Sequence, residues 1–277
     1  MTEFAVQYEQ EPQRPHVRRR RFRPGRVLLV ILALTMIIFA LFYLVYNLTD
    51  KSLSPGTLPP LRRSSANLSR AEKNDLPPAL ITLLENNPET YEFVKNYDKN
   101  REPSAVIDIS GDMPDGEIPL FLQWDERWGY DTYGSGMIAV TGCGPTCLSM
   151  VAVGLTGDVS LNPRAVADFA ADNGHYANGS GTAWTLMTDG AEKLGLYSRV
   201  LPLHEPTILS ELRAGNPIIC SVGKGDFTKD GHYIVLTGAN ADGTVCVNDP
   251  NSIIRSEADW ELDVIMGQVK NLWALSK

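Results

Sequence analysis

Residues 27–46 form an uninterrupted apolar segment, and this segment divides the chain into parts that cannot share one solvent environment. The segment contains no charged residue, and a helix of that length spans about 30 Å, the thickness of the hydrocarbon core of a bilayer. No small-residue cleavage site follows it, which disfavours the alternative of a cleaved signal peptide. We therefore predict an uncleaved, single transmembrane helix over residues 27–46.

The charges on either side of this segment predict its orientation. Residues 1–26 hold seven arginines and three glutamates, and positively charged flanks stay in the cytoplasm. We therefore expect a cytoplasmic tail over 1–26 and an extracytoplasmic part over 47–277, held at the cell membrane. The whole chain has a net charge of −8, so the part beyond the tail is acidic. An acidic domain disfavours a nucleic-acid partner.

The extracytoplasmic part divides into three regions by composition. Residues 47–75 are rich in serine and proline, which is typical of a linker. Residues 76–113 show helical spacing interrupted at Asn87-Pro88, and we expect a helical collar packed on the main domain, the alternative being a propiece that blocks the substrate. Residues 114–277 have the size of a single globular domain.

Helical patterns come first in this domain and strands come later, which favours an α+β fold with an antiparallel sheet. The helical patterns cover 148–155, 163–173 and 183–194, and the strand patterns cover 217–222, 232–238 and 244–248.

Cys143 has the surroundings that a nucleophilic cysteine requires. It lies in Gly142-Cys143-Gly144-Pro145-Thr146-Cys147, directly before an apolar run, and proline favours a helix start at 144–145. Free amides and the dipole at a helix N-terminus stabilise a thiolate. The alternatives are that Cys143 and Cys147 simply pack in the core, form a disulfide of poor geometry or bind zinc without a second cysteine pair.

His232 opens a predicted strand, where a general base would be rigidly held, although a histidine in that place is often structural. If residues 240–243 form a hairpin loop, Ala239 pairs with Thr244. Asp249 then faces Ile234 and lies diagonally from His232, within reach of its imidazole. The alternative is that Asp249 belongs to an ordinary turn.

The remaining candidates carry weaker signals. Gln123 precedes Cys143 by twenty residues, and it can serve as an oxyanion donor or simply be a surface residue. Cys220 and Cys246 lie in predicted strands, where packing or a disulfide between them is expected. The other histidines, His16, His175 and His204, fall in the tail, a glycine-rich loop and a turn.

Four spaced motifs together resemble a known family. They are Gln123-Trp124-Asp125-Glu126-Arg127-Trp128, the Cys143 motif, Gly231-His232-Tyr233-Ile234-Val235 and Asn248-Asp249-Pro250. They are similar to the papain-like clan, and specifically to the bacteriocin-leader (double-glycine) peptidase-like family in its stand-alone, transporter-free bacterial branch. The segment 86–97 resembles the part that precedes the domain in that branch.

The resemblance implies a papain-like cysteine peptidase fold and assigns four roles. Cys143 is the nucleophile, His232 the general base and acid, Asp249 the residue that orients it, and Gln123 the oxyanion donor. In papain the second cysteine of a similar motif is the nucleophile, so Cys147 is the alternative. Since this sequence contains no ATP-binding cassette, the resemblance does not imply leader cleavage coupled to export.

The sequence therefore predicts a membrane-anchored thiol hydrolase that acts on a peptide or cell-wall peptide. No metal and no organic cofactor is expected. The alternatives are a non-catalytic peptide- or cell-wall-binding module on the same fold, and a structural cell-wall tether.

Overall fold

The computed structural model describes residues 68–69, 75–102, 106–114, 116–179 and 181–277. The predicted cytoplasmic tail and transmembrane helix, and nearly all of the predicted linker, lie outside these residues and stay predictions. Among the described residues, no helix combines the length and the apolar character that a bilayer crossing needs.

The described elements follow the order that the sequence predicts, with most helices before most strands. The α-helices are α1 (Pro78–Asn86), α2 (Tyr91–Lys95), α3 (Tyr97–Asn100), α4 (Ile138–Thr141), α5 (Cys143–Thr156), α6 (Pro163–Asp172), α7 (Asp189–Lys193), α8 (Glu205–Arg213), α9 (Ile253–Ser256) and α10 (Leu262–Met266). Short 3₁₀ turns cover Pro88–Thr90, Ser110–Asp112 and Trp184–Met187. The strands are β1 (Thr132–Tyr133), β2 (Gly136–Met137), β3 (Tyr176–Ala177), β4 (Gly181–Thr182), β5 (Tyr197–Val200), β6 (Ile218–Val222), β7 (His232–Ala239), β8 (Val245–Asn248), β9 (Asp259–Trp260) and β10 (Val269–Ser276).

The main sheet has the strand order β5-β10-β6-β7-β8-β9. Every pairing in it is antiparallel, so the predicted α+β class is confirmed. The sequence patterns predict β6, β7 and β8 but not β5 and β10, which frame the other edge of the sheet. Two small hairpins, β1–β2 and β3–β4, lie outside the main sheet.

A hydrophobic core lies on each face of the main sheet, so its central strands are buried on both sides. Tyr233 and Val235 point into the core that contains the apolar side chains of α5. Ile234 and Leu236 point into the opposite core, beside α8 and α10. The helix that begins with Cys143 therefore packs directly against β7, the strand that begins with His232.

Two helical predictions show how local hydrogen bonds decide element limits. Helix α6 ends at Asp172, close to the predicted limit. The pattern at 183–194 was expected to be one helix, but the structure divides it into a 3₁₀ turn and α7. The carbonyl of Met187 accepts a hydrogen bond from the Ser198 hydroxyl at 2.5 Å, which helps to end the first part there.

The β7–β8 hairpin differs from the predicted register at its tip and agrees with it near Asp249. Ala239 pairs with Val245 rather than with Thr244. A bulge between Leu236 and Gly238 then shifts the register, so that Val235 pairs with Asn248. Continuing that register places Asp249 opposite Ile234, as predicted, because the bulge compensates for the longer turn.

The collar packs on the main domain through aromatic and aliphatic side chains. Leu80, Leu83 and Phe93 share a core with Tyr130 and Ala139. The Phe93 and Tyr130 rings stack with centroids 4.1 Å apart. Tyr130 also donates a hydrogen bond to the Phe93 carbonyl at 2.7 Å, so the collar is fixed by polar as well as apolar contacts.

Candidate active site

Cys143 is the first residue of α5, and its side chain is half-buried. Helix α5 starts one or two residues earlier than the sequence predicts, which places Cys143 at the helix N-terminus. The first amides of a helix lack carbonyl partners within it, and the helix dipole favours negative charge there. An anionic sulfur at this position is therefore stabilised by the local backbone.

Gly144 lets α5 begin where it does. A Cβ built on Gly144 would lie 2.6 Å from the Thr182 side chain, so no larger residue fits without moving β4. Thr182 is itself fixed, since its hydroxyl bonds with the Tyr133 hydroxyl at 3.1 Å and its carbonyl accepts from the Tyr233 hydroxyl at 3.0 Å. The β3–β4 hairpin is thus locked against the helix N-terminus that carries Cys143.

The other cysteines have different surroundings. Cys147 is fully buried one turn into α5, and burial raises the pKa of its thiol well above the ordinary range. All four cysteines fall among the described residues and all are free thiols. No bridge joins Cys220 to Cys246, because β7 lies between their strands. The geometry therefore favours Cys143 over Cys147 as the reactive thiol.

His232 and Asp249 form a buried pair. His232 Nε2 lies 2.7 Å from Asp249 Oδ1, and the Asp249 side chain has no exposed surface. Since Nε2 is engaged, Nδ1 is the nitrogen left to face Cys143, which is near enough to help raise the pKa of His232. The three side chains predicted from separate motifs thus meet in one place.

The charges of this cluster shift its protonation equilibria. Burial alone would lower the pKa of His232, but Asp249 and then Cys143 outweigh it and raise the pKa to about 10. Burial alone would raise the pKa of Asp249, but His232 and Arg255 hold it below its usual range. The arrangement therefore favours an imidazolium beside an ionised carboxylate.

Arg255 is a member of this cluster that the sequence analysis missed. Its Nε donates to Asp249 Oδ2 at 2.5 Å, while the Asn251 amide donates to Oδ1 at 2.8 Å. Both carboxylate oxygens are thus engaged, and Oδ1 points to His232. The only sequence signal was an arginine six residues after Asp249 in a short polar segment, which is also typical of a surface residue.

Gln123 is buried beside this cluster rather than exposed. Its backbone amide donates to the Pro250 carbonyl at 2.7 Å, and its side-chain Nε2 donates to the Ala139 carbonyl at 2.7 Å. An amide nitrogen carries two hydrogens, so one remains for a further acceptor. Gln123 Oε1 has no hydrogen-bond partner among the described residues.

The remaining described histidines lie apart from this cluster. His175 Nδ1 bonds with the Thr185 hydroxyl at 2.9 Å, and burial lowers the pKa of its ring. His204 precedes α8, and its Nδ1 lies 2.9 Å from the Thr207 hydroxyl. Within the described ranges, no three histidine, cysteine, aspartate or glutamate side chains are grouped as metal ligands would be.

Comparison with known proteins gives a family match over the main domain. The profile of the Peptidase C39-like family matches residues 116–277. A similar solved structure is the peptidase domain of Streptococcus ComA, described as a bifunctional ABC transporter involved in a quorum-sensing pathway. It is 22% identical and covers 49% of this chain and 91% of that chain, with a TM-score of 0.38. No curated protein matches the chain significantly.

Proposed function

Because this chain belongs to the Peptidase C39-like family and is a cysteine peptidase-like hydrolase of papain-like α+β fold, we propose that it cleaves a peptide or amide bond with Cys143 as nucleophile. His232 is the general base and acid, and Asp249 orients it. The observation that carries this assignment is the 2.7 Å contact between His232 Nε2 and Asp249 Oδ1, beside a cysteine at the N-terminus of α5.

The proposed acylation step gives each of these groups one role. The Cys143 thiolate attacks the substrate carbonyl carbon, a C–S bond forms, and the carbonyl oxygen becomes an oxyanion. The Cys143 amide and the second hydrogen of Gln123 Nε2 donate to that oxyanion. His232 Nδ1 gives its proton to the leaving nitrogen, the C–N bond breaks, and the amine departs.

Deacylation returns the enzyme to its starting state. A water molecule attacks the thioester while His232 Nδ1 accepts one of its protons. The C–S bond then breaks, the carboxylic acid leaves, and the thiolate–imidazolium pair is restored. Throughout, the hydrogen bond to Asp249 keeps Nε2 occupied and Nδ1 directed at the reaction, as in other catalytic triads.

The proposed location follows from the sequence. The uncharged segment 27–46 anchors the chain as a single-pass membrane protein, and the arginines of 1–26 keep the N-terminus in the cytoplasm. The hydrolase domain then lies outside, where an exported peptide or a cell-wall peptide is the substrate. Alkaline phosphatase fused after Lys277 should be active on whole cells. A fusion that is produced but inactive would contradict the proposed orientation.

The activity is tested with two matched cysteine variants of the full chain in mild detergent. Peptide libraries and cell-wall peptides are incubated with wild type, Cys143→Ala and Cys147→Ala, and products are identified by mass spectrometry. Hydrolysis should be lost in Cys143→Ala and retained in Cys147→Ala. Turnover by a folded Cys143→Ala variant would refute the assignment, and an unreactive Cys143 in the wild type would favour the binding module.

A further inference from the structure

The collar reaches the loop that follows Asp249 through side chains of its central turn. Asn87 Nδ2 donates a hydrogen bond to the Asn251 carbonyl. The Glu89 carboxylate accepts from the Ser252 hydroxyl at 2.5 Å and from the Ile253 amide at 2.8 Å. These contacts join residues more than 160 positions apart in the sequence, so they exist only in the folded protein.

The contact through Asn87 leads to one oxygen of Asp249. The Asn251 amide donates to Asp249 Oδ1, the same oxygen that bonds with His232. The carbonyl of Asn251 is held by Asn87 on one side and by the Trp124 indole, at 3.1 Å, on the other. Asn87 therefore fixes the residue whose amide aims Oδ1.

The contact through Glu89 leads to the other oxygen. The Ser252 hydroxyl donates to Glu89 and accepts from the Arg255 amide at 3.1 Å. Arg255 Nε donates to Asp249 Oδ2. Glu89 therefore holds the start of the short helix that presents Arg255, and the collar acts on both oxygens of the carboxylate.

The collar also contacts the loop that leads into His232. Lys229 Nζ donates to Asn86 Oδ1 at 2.7 Å, three residues before His232. Asn87 itself is only 4% exposed, and its own Oδ1 caps the 3₁₀ turn by accepting from the Glu89 amide at 3.0 Å. The turn is thus internally fixed and placed between the loop that leads into His232 and the loop that follows Asp249.

We propose that Asn87 and Glu89 are positioning residues for Asp249, so that the collar is a working part of the active site. Both residues precede the region 116–277 that the family profile matches, so the family match does not account for them. This inference rests on the proposed roles of Cys143, His232 and Asp249. It predicts that loosening the collar turn weakens the His232–Asp249 pair without touching the reacting atoms.

Two variants of the full chain test the inference, with a matched control. Glu89→Gln removes the charge that holds Ser252, and Asn87→Ser keeps a capping hydroxyl but cannot reach Asn251. Glu92→Gln makes the same charge change on an exposed collar residue and serves as the control. The readout is the rate of iodoacetamide alkylation of Cys143 from pH 5 to pH 10, resolved by mass spectrometry, with thermal unfolding measured in parallel.

We expect Glu89→Gln and Asn87→Ser to slow Cys143 alkylation at pH 8 by about two- to fourfold, since one hydrogen bond is worth at least about twofold and an ordinary thiol is already about a quarter ionised at this pH. The basic limb of the pH profile should move to lower pH, and Glu92→Gln should match the wild type. In an Asp249→Asn background, Glu89→Gln should have no further effect on the profile, because it acts through that carboxylate.

A collar with a purely structural role gives a different result. Both variants would then unfold at lower temperature, while the alkylation profile of the folded protein would be the same as that of Glu92→Gln. This result would overturn the inference and leave the proposed function intact. A wild-type Cys143 that reacts like an ordinary thiol would instead overturn the proposed function, and the inference with it.

Discussion

Replacing Asp249 with asparagine tests the electrostatic part of the mechanism. The substitution keeps the shape of the side chain and removes the charge that raises the pKa of His232 to about 10. What remains is the burial of His232, which lowers its pKa, and the influence of Cys143, which raises it. We therefore expect the pKa of His232 in Asp249→Asn to fall toward about 6.5, the ordinary value.

The size of the effect follows from these two values. At pH 8, a histidine with a pKa of about 10 is about 99% protonated, and one with a pKa of about 6.5 is about 3% protonated. If the reactive state is the thiolate–imidazolium pair, its population falls about thirtyfold. The rate of Cys143 alkylation at pH 8 should fall by no more than about fourfold, because an ordinary thiol with a pKa of about 8.5 is already about 24% ionised at that pH.

The assay is the pH dependence of iodoacetamide labelling at Cys143 in the folded variant. Asp249→Asn leaves Arg255 without its partner, which is expected to destabilise the fold, so Asp249→Asn/Arg255→Gln removes both charges and controls for that effect. Both variants should be labelled more slowly than the wild type at pH 8. An unchanged basic limb in either folded variant would refute the reasoning that Asp249 sustains the protonation of His232.

Three further predictions concern the surroundings of the site. Cys147→Ala should leave the pH profile of Cys143 labelling unchanged and lower the free energy of unfolding, measured by urea titration, by about 1 kcal/mol, because Cys147 only fills the core. A changed pH profile of Cys143 labelling would contradict this. Gly144→Ala should cost about 1–3 kcal/mol, because its methyl group meets Thr182, and an unchanged unfolding midpoint would contradict it. The thermal midpoint of the wild type should exceed that of His232→Ala by an amount that decreases as pH rises from about 6.5 to about 10. The reason is that a histidine whose pKa is raised in the folded state stabilises that state fully only below the pKa of the unfolded state. The difference should also decrease below about pH 4, where Asp249 loses its charge, and a difference that does not depend on pH would contradict both expectations.

Short sequence patterns were sufficient to single out Cys143, His232 and Asp249 as the residues proposed for catalysis. Cys143 is marked by glycines and by the apolar run that follows, both of which describe a helix start. His232 opens a strand whose apolar residues are recognisable from sequence alone. The pairing of Asp249 with His232 depended on register, and the prediction was right at Asp249 although wrong at the hairpin tip, because the bulge after Leu236 restores the alignment.

Polar contacts between residues far apart in the sequence could not be predicted from short sequence patterns. Arg255 resembles a surface arginine until the turn after Asp249 is folded. Gln123 was placed near the site by resemblance, but its acceptor, the Ala139 carbonyl, follows only from how α4 packs. The contacts of Asn87 and Glu89 cross most of the chain, and neither residue type signals such a partner from its neighbours in sequence.

The central claim, that Cys143 is a thiol activated by His232, is tested most directly by competitive alkylation at pH 6. Glutathione added to the same reaction is the reference, because burial raises the pKa of the Cys246 thiol in the protein. At this pH an ordinary thiol is almost entirely protonated, so Cys143 should be labelled at least about tenfold faster than glutathione, and His232→Ala should remove most of the difference. Equal labelling of Cys143 and glutathione, or a preference for Cys143 that is undiminished in folded His232→Ala, would contradict the account.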